Sequence, residues 1–385
     1  MFDGRRALIS SVIRHAGASA SSGFVRLLEL ESGEILRTWS MPESSHRADD
    51  PNPRGGHRGA RGVSATDHRL AIANAERVMV FDSSWKSLGD LTHPLMGGVH
   101  DVLAEEDGVW ACCTMADLLI KLDWKGNLKQ VWEWREDAAL VRELGLPKLP
   151  KVDRKVDHRD PNTARTAVRN TVHLNAIARC ERGLLLSFGR ILSAEKYRKQ
   201  KRAAFIGKIA SLLHLKRRDD TSIQVVRESS KGQQGDHQWA AVLLAEDGKA
   251  TILAKAQRTN VPNHNIAIID GTLIYNDTNG GRVVSVALGG AKPELAVPLP
   301  GPRSFARGYA ELGGSRVLVG SHQPAAVYEV DLHGQRVTRT YSLAGSETEA
   351  VYGICLVPET FDEPPEELFG CAHREMNEEA GIAMR

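Results

Sequence analysis

The stretch Val99-His100-Asp101-Val102 introduces a pattern that recurs along the chain. In it a histidine opens a short apolar strand, and a break rich in Gly and Asp leads into a second strand. Val172-His173-Leu174-Asn175 and Asn263-His264-Asn265-Ile266 repeat this form. Another residue takes the histidine position in Arg61-Gly62-Val63-Ser64, Arg307-Gly308-Tyr309-Ala310 and Tyr352-Gly353-Ile354-Cys355. We interpret the six segments as six copies of one structural position.

The spacing of these copies predicts an all-β, six-bladed β-propeller. Short apolar segments separated by Gly, Asp and Asn indicate antiparallel sheet. Most copies follow one another at about 40–45 residues, a repeat length typical of four-stranded propeller blades. Residues 6–14, 23–30 and 34–39 look like three strands that lack an inner one, whereas Tyr352 opens a strand followed only by a tail. We therefore expect one propeller over residues 1–357, closed by a blade that both ends share, and an acidic tail over 358–385.

Two insertions lengthen the intervals around His173. They cover residues 135–169 and 190–236. A helix is predicted in the first insertion from Asp137 to Leu144, and an amphipathic helix in the second from Ser193 to Leu215. Because the second strand of a blade returns to the face where the first begins, both insertions should cover the histidine face as a lid. The second insertion is strongly basic, which suits either a solvated surface or an acidic partner.

Inner strands surround the channel of a propeller, so equivalent residues converge at one height. The predicted ring, in blade order, is Arg61, His100, His173, His264, Arg307 and Tyr352. Three neighbouring imidazoles with an open position suit a divalent metal, zinc first, with iron or copper as alternatives. In the other interpretation they are polar residues of the channel wall. The blade of His173 differs from the other copies, because Asn175 stands where they have an apolar residue.

The other ring positions suggest how a substrate is bound. Arg61 and Arg307 are predicted to bind an anionic group, a carboxylate, sulfate or phosphate, unless they are salt-bridged within the channel. Tyr352 is the candidate general acid or base, or else a residue that fills the channel. The glycines that follow these three residues indicate close backbone approach. Further candidate substrate-binding residues come from loops on the same face: His57, Arg190, Asn276 and His322.

The composition of the chain indicates which kinds of partner and cellular compartment to expect. The 385 residues carry a net charge of +2, which gives no sign of a nucleic-acid partner, and the basic insertion lacks the interleaved aromatic residues of a stacking platform. The apolar run from Ala7 to Ile13 is too short for a membrane span or a signal-peptide core. Five cysteines are most simply explained as reduced thiols of a cytoplasmic protein. The oligomeric state is not determined by the sequence.

With its ring residues, the pattern resembles six-bladed propellers related to strictosidine synthase, the NHL proteins and the peptidyl-hydroxyglycine amidating lyase. That lyase holds zinc with three histidines from separate blades, beside a tyrosine and arginines. The resemblance implies that His100, His173 and His264 are the metal ligands, Tyr352 the tyrosine, and Arg61 or Arg307 an arginine. The large basic insertions and the absence of a disulfide framework depart from the lyase, so the resemblance does not supply the substrate.

Three hypotheses follow. The first is a metal-dependent lyase or hydrolase acting on a small anionic molecule at the channel mouth. The second is a non-catalytic scaffold whose basic insertion binds an acidic partner. The third is a metal-free transferase or lyase that uses histidine and arginine directly.

Overall fold

The computed structural model describes residues 5–14, 16, 21–42, 59–160, 170–212, 238–257, 262–288, 294–301, 304–343, 345 and 347–369. It contains six four-stranded antiparallel sheets, which confirms the predicted six-bladed propeller. The strands are β1 Arg6–Ile13, β2 Phe24–Glu29, β3 Ile35–Ser40, β4 Val63–Ala65, β5 Arg69–Ala73, β6 Arg77–Asp82, β7 Ser87–Thr92, β8 Val99–Glu105, β9 Gly108–Cys113, β10 Leu118–Asp123, β11 Leu128–Glu133, β12 Leu174–Cys180, β13 Gly183–Ile191, β14 Gln238–Leu244, β15 Ala250–Gln257, β16 His264–Ile269, β17 Thr272–Asp277, β18 Arg282–Ala287, β19 Leu295–Pro298, β20 Arg307–Gly313, β21 Arg316–Gly320, β22 Ala326–Asp331, β23 Arg336–Ser342 and β24 Glu349–Val357.

The inner strands β4, β8, β12, β16, β20 and β24 contact one another in that order, and β24 contacts β4, which closes the ring. The closing blade has the order β24-β1-β2-β3, so both ends of the described chain share it, as predicted. A buried ion pair between Arg26 of β2 and Glu349 of β24 fastens this joint. Closure removes the free sheet edge that an open ring would present.

Apolar side chains fill the spaces between blades. One cluster joins the blades of β4–β7 and β8–β11, and includes Val80, Leu91, Val102 and Ile120. The next joins the latter blade to β12–β15 through Trp110, Leu119, Leu186 and Val242. Since both faces of each blade are covered by neighbours, the strands are buried over most of their length and hold the inner ends rigidly.

The described parts of the two insertions contact each other and the propeller. Asp137 caps α1 (Ala138–Glu143), since its side chain accepts a hydrogen bond from the backbone of Leu140. Helix α2 (Ala194–Leu212) follows β13, and its Ala194 N–H donates to the carbonyl of Gly145, in the first insertion. The insertions fall where they were predicted, between blades and between second and third strands. That they act as a lid stays a prediction.

The prediction of an amphipathic helix in the second insertion is half wrong. The helix forms, but basic and apolar residues do not occupy opposite faces. Most basic residues lie in its first half, from Lys196 to Arg202, and most apolar ones in its second half, although Tyr197 and Lys208 are exceptions. Residues grouped along the axis in this way spread around the helix, so no apolar stripe results.

The first part of the predicted tail packs on the propeller. Phe361 and Leu368 join the apolar cluster of the closing blade and the blade of β4–β7. The indole of Trp39 donates hydrogen bonds to backbone carbonyls of Pro365 and Glu366. The rest of the predicted tail, residues 370–385, lies outside the described residues. Neither α1 nor α2 has the length and apolar content that a membrane-crossing helix needs.

Candidate functional site

The inner ends of three neighbouring blades bring His100, His173 and His264 together. Their candidate ligand nitrogens all lie within 4.8 Å of one another. The ring centroids are 5.1 Å apart for His100 and His173, 5.9 Å for His173 and His264, and 6.3 Å for His100 and His264. Nitrogens bound to one tetrahedral zinc stand about 3.3 Å apart. Small side-chain rotations therefore suffice for a single ion.

Each of the three imidazoles is held through its Nδ1 atom. The Nδ1 atom of His100 lies 2.8 Å from the carbonyl oxygen of Gly98, and that of His264 lies 2.7 Å from Oγ1 of Thr278. The Nδ1 atom of His173 contacts the side-chain amide of Asn170, 2.9 Å from its Nδ2 and 3.1 Å from its Oδ1. The Nε2 atom of His264 is buried and has no hydrogen-bond partner. Metal-binding histidines are typically arranged in this way, because an acceptor for Nδ1–H fixes the tautomer and leaves Nε2 for the ion.

The surroundings keep the three imidazoles neutral. Burial lowers the pKa of each ring well below its usual value, and the nearby arginines lower it further. The largest arginine effect comes from Arg61 on His100, from Arg190 on His173 and from Arg307 on His264. A neutral imidazole has a lone pair to give to a metal, so the residues present fit the predicted ion.

His173 reaches the cluster by a different backbone route. In the blade of His264 the ladder shifts between His264 and Ile266, which leaves Asn265 unpaired. In the blade of His173 the shift lies between Leu174 and Ala176, so Asn175 corresponds to Asn265. The prediction that His173 occupies the same strand position as His264 is therefore wrong by one residue. His173 has a left-handed backbone, with φ 51°, which turns the chain just before the strand and allows its ring to join the others.

The glycines of the other copies allow close approach of neighbouring inner strands, as predicted. A Cβ on Gly62 would lie 2.7 Å from the backbone nitrogen of Val102, in the next blade. A Cβ on Gly353 would lie 2.5 Å from the carbonyl oxygen of Arg61. Both positions thus accept only a residue without a side chain, and the ring is narrow as a result.

The other half of the ring holds cations around a phenol. The guanidinium of Arg307 lies 3.5 Å from the ring centroid of Tyr352, and that of Arg61 lies 6.0 Å from it. Arg61 also places Nη1 3.0 Å from Nδ1 of His100. Burial by itself would raise the pKa of Tyr352, but the neighbouring guanidinium groups bring it down to about 8. The six predicted ring residues are thus in one place: three imidazoles on one half, two arginines and a tyrosine on the other.

Arg14 is a site residue that the sequence interpretation missed. It follows the end of β1, the second strand of the closing blade, and its guanidinium helps to lower the pKa of the Tyr352 phenol. Its guanidinium packs over the ring of Phe305, 4.4 Å from the centroid. The rule that second strands end on the histidine face would have found it. Thr278 and Asn170, the partners of two imidazoles, carried no signal in their local sequence.

The four predicted substrate-binding residues have different surroundings. Arg190 lies near the end of β13, beside His173. Asn276 is fully buried, and its amide nitrogen donates to the carbonyl of Gly308 and to Asn265, contacts that serve the fold. His322 bridges to Ala350 and its ring packs against Phe305. His57 lies outside the described residues. A substrate role for all four stays a prediction.

A second opening lies along the axis on the other side of the histidines. Inner-strand residues of all six blades line a cavity of about 370 Å³, among them Asp101, Arg179, Tyr309 and Glu311. Asp101 forms part of its wall, and its carboxylate accepts hydrogen bonds from the backbone of Val102 and Ile177. Asp101 therefore ties adjacent inner strands together beneath the histidines.

Comparisons with known proteins support the architecture. No protein-family model matches the chain, and no curated protein matches it. Among solved structures, a protein of unknown function from Bacteroides caccae is similar at a TM-score of 0.51 and 11% identity, covering 92% of this chain and 100% of its own. A chain of a nidogen/laminin complex gives 0.47 and 11% over 92% and 98%. Virginiamycin B lyase from Staphylococcus aureus gives 0.40 and 12% over 75% and 71%. The similarity to the Bacteroides protein is one of fold.

Proposed function

We propose that the chain is a metal-dependent lyase or hydrolase that acts on a small anionic molecule at the channel mouth. The observation that carries the proposal is the histidine cluster, in which three blades each supply an imidazole already held through Nδ1. Structural zinc sites are closed by four protein ligands, whereas three leave a position for water or substrate. The donor set therefore favours a catalytic ion over a structural one.

The protein's own groups divide the work on a bound substrate. A divalent ion, zinc by preference, supplies Lewis acidity at its open position. Arg307 and Arg61 bind and orient an anionic group of the substrate by charge-assisted hydrogen bonds. Tyr352 lies between them with a pKa of about 8, so near neutral pH it can give up or take a proton at its phenolic oxygen. The insertions that contain α1 and α2 limit access of water to this mouth.

Metal analysis of the purified protein tests the proposal. We expect about one equivalent of a divalent metal per chain. The variants His100→Ala and His173→Ala should lose it, while His333→Ala, an exposed histidine on another loop, should keep it. The outcome that refutes the proposal is unchanged metal content in both site variants, or no metal uptake by wild-type protein dialysed against zinc.

A second candidate function is favoured by α2. Arg198, Lys199, Lys201 and Arg202 are exposed on it, and the one acidic side chain beside them, Glu195, pairs with Lys199. Such a surface suits an acidic partner of a non-catalytic scaffold. Salt-sensitive binding to poly-glutamate that is lost when Lys199, Lys201 and Arg202 become glutamine, with no metal uptake, would favour it. A metal-free transferase, the third candidate, would instead retain turnover in chelator.

We also propose a reducing compartment, the cytoplasm, for the protein. The described cysteines Cys112, Cys113, Cys180 and Cys355 are all free thiols. Disulfides are rare in that compartment and common in secreted proteins. Thiol counting under denaturing conditions on protein purified without reductant would contradict this if it found the cysteines oxidised.

A further inference from the structure

Arg307 is a buried cation that has no anionic partner among the described residues. It is 4% exposed, and within the described residues its guanidinium makes no hydrogen bond or ion pair, only the stacking contact with Tyr352. Asp101 is the described carboxylate that acts electrostatically on Arg307, and it already accepts two backbone N–H groups. A buried guanidinium with five N–H donors and no acceptor is costly. An anion from outside the chain would remove that cost.

Arg190 is a second such cation, in the blade of His173. It is half-buried and lies close to His173, and within the described part of the chain its side chain has no hydrogen bond or ion pair. The acidic group nearest to it, Asp117, accepts hydrogen bonds from the backbone of Thr171, Val172 and Leu174. That carboxylate is committed to the strand start, and so Arg190 too is available to a ligand.

The two arginines lie in different blades around the histidine cluster. Arg190 belongs to the blade of His173, whereas Arg307 belongs to the blade after that of His264. Arg307 and Arg14 act electrostatically on His264, and Arg190 acts most strongly on His173. A ligand that binds both arginines must therefore carry a negatively charged group for each of them, beside the three imidazoles.

We propose that the substrate is a small dianion with an oxyanion group at each end, one bound by Arg307 and the other by Arg190. Its reacting atom lies between these ends, opposite the histidine cluster. This inference rests on the proposed function, because it names the substrate class of the same site. Carboxylate and phosphoryl groups offer the same forked acceptor geometry to a guanidinium, so both belong to the class.

Calorimetric titration with simple anions tests the inference at constant ionic strength. The probes are acetate as the monoanion, then malonate, succinate and glutarate, and phosphonoacetate as the phosphoryl form. We expect the best dicarboxylate to bind about tenfold or more tightly than acetate, since a second charge-assisted contact adds at least that factor. Phosphonoacetate binding above the best dicarboxylate would assign one end to a phosphoryl group, and the reverse order would assign both to carboxylates.

Variants of Arg190 and Arg307 test separately how the two ends of the proposed dianion are bound. Arg190→Gln and Arg307→Gln should each reduce dicarboxylate affinity to about that of acetate. Arg307→Lys, which keeps the charge, covers the case in which the glutamine variant does not fold, and should lose the fork while retaining part of the affinity. Arg182→Gln is the matched control: the same charge change in the blade of Arg190, at the exposed turn on the opposite face. Its affinity should equal that of the wild type.

Two results overturn the inference: dicarboxylates of every length that bind no more tightly than acetate, or a dicarboxylate affinity that Arg190→Gln leaves unchanged. The same titrations are run on zinc-loaded and chelator-treated protein, with metal content measured in parallel. Protein that takes up no metal but binds dicarboxylate through both arginines refutes the proposed metal chemistry and supports the dianion site. Protein that takes up metal but shows no preference for dianions supports the proposed metal chemistry and refutes the dianion site.

Discussion

Replacing Thr278 by valine removes a single oxygen behind the histidine cluster and keeps the shape of the side chain. Thr278 is fully buried, and its Oγ1 lies 2.7 Å from Nδ1 of His264. It follows β17, so it approaches the ring from a strand that contributes no metal ligand. The substitution therefore tests whether the Nδ1 contacts serve metal binding, without changing any ligand.

The magnitude follows from what the variant leaves behind. With Nε2 of His264 on a metal, Nδ1 carries the proton, and in the variant that buried N–H has no acceptor. An unsatisfied buried donor costs about 1–3 kcal/mol. Outer contacts of this kind typically contribute 10–100-fold to metal affinity. We expect zinc to bind Thr278→Val about 10–100-fold more weakly, with the free energy of unfolding of the metal-free protein reduced by only about 1 kcal/mol.

Competition against a fluorescent zinc chelator measures the affinity, and urea unfolding of the metal-free protein measures the stability. Thr338→Val is the matched control, because its hydroxyl donates to the carbonyl of Glu329 in an outer strand, 3.3 Å away. Its zinc affinity should not change. The reasoning is refuted if Thr278→Val folds normally and binds zinc as tightly as the wild type.

Three further predictions concern closure, the phenol and the lid. Glu349→Gln removes the carboxylate that pairs with buried Arg26 at the closing blade, and urea unfolding should show a free energy of unfolding lower by about 3–5 kcal/mol. The control Glu363→Gln, which removes the 95% exposed partner of Arg6, should lower it by less than about 1 kcal/mol. In chelator-treated protein the Tyr352 phenol should be protonated below pH about 8 and ionised above it. Ultraviolet titration should therefore show one phenolate forming near that pH, and Tyr352→Phe should abolish this step. A wild-type titration curve equal to that of the variant would contradict the prediction. Asp137→Ala removes the cap of α1 and should reduce stability by about 1 kcal/mol, and an unchanged urea midpoint would argue against a stabilising cap.

The blades could be predicted because their signals are local. A strand pattern ends at Gly, Asp or Asn wherever the chain turns, so the strands predicted over residues 6–14, 23–30 and 34–39 agree within one residue with β1, β2 and β3. Repetition then placed His100 and His264 at the channel mouth without any knowledge of their contacts. Arg14 was missed because site candidates were sought at inner-strand starts and in loops on the histidine face, but not at the end of β1. The end of β1 lies on the same face by the same alternation of strand direction.

The sequence alone determined the number of blades, the closure by both ends and the residue types that meet at the axis. These depend on strand period, turn residues and repeat length, which are properties of consecutive residues. Only the tertiary structure decided that His173 joins the cluster from one position earlier and that Gly98, Asn170 and Thr278 hold the imidazoles. It also decided that Arg307 and Arg190 have no anionic partner among the residues that the structure describes. Such contacts join residues that are close only after the ring has closed, and a left-handed residue or a bulge shifts them without leaving a mark in the repeat.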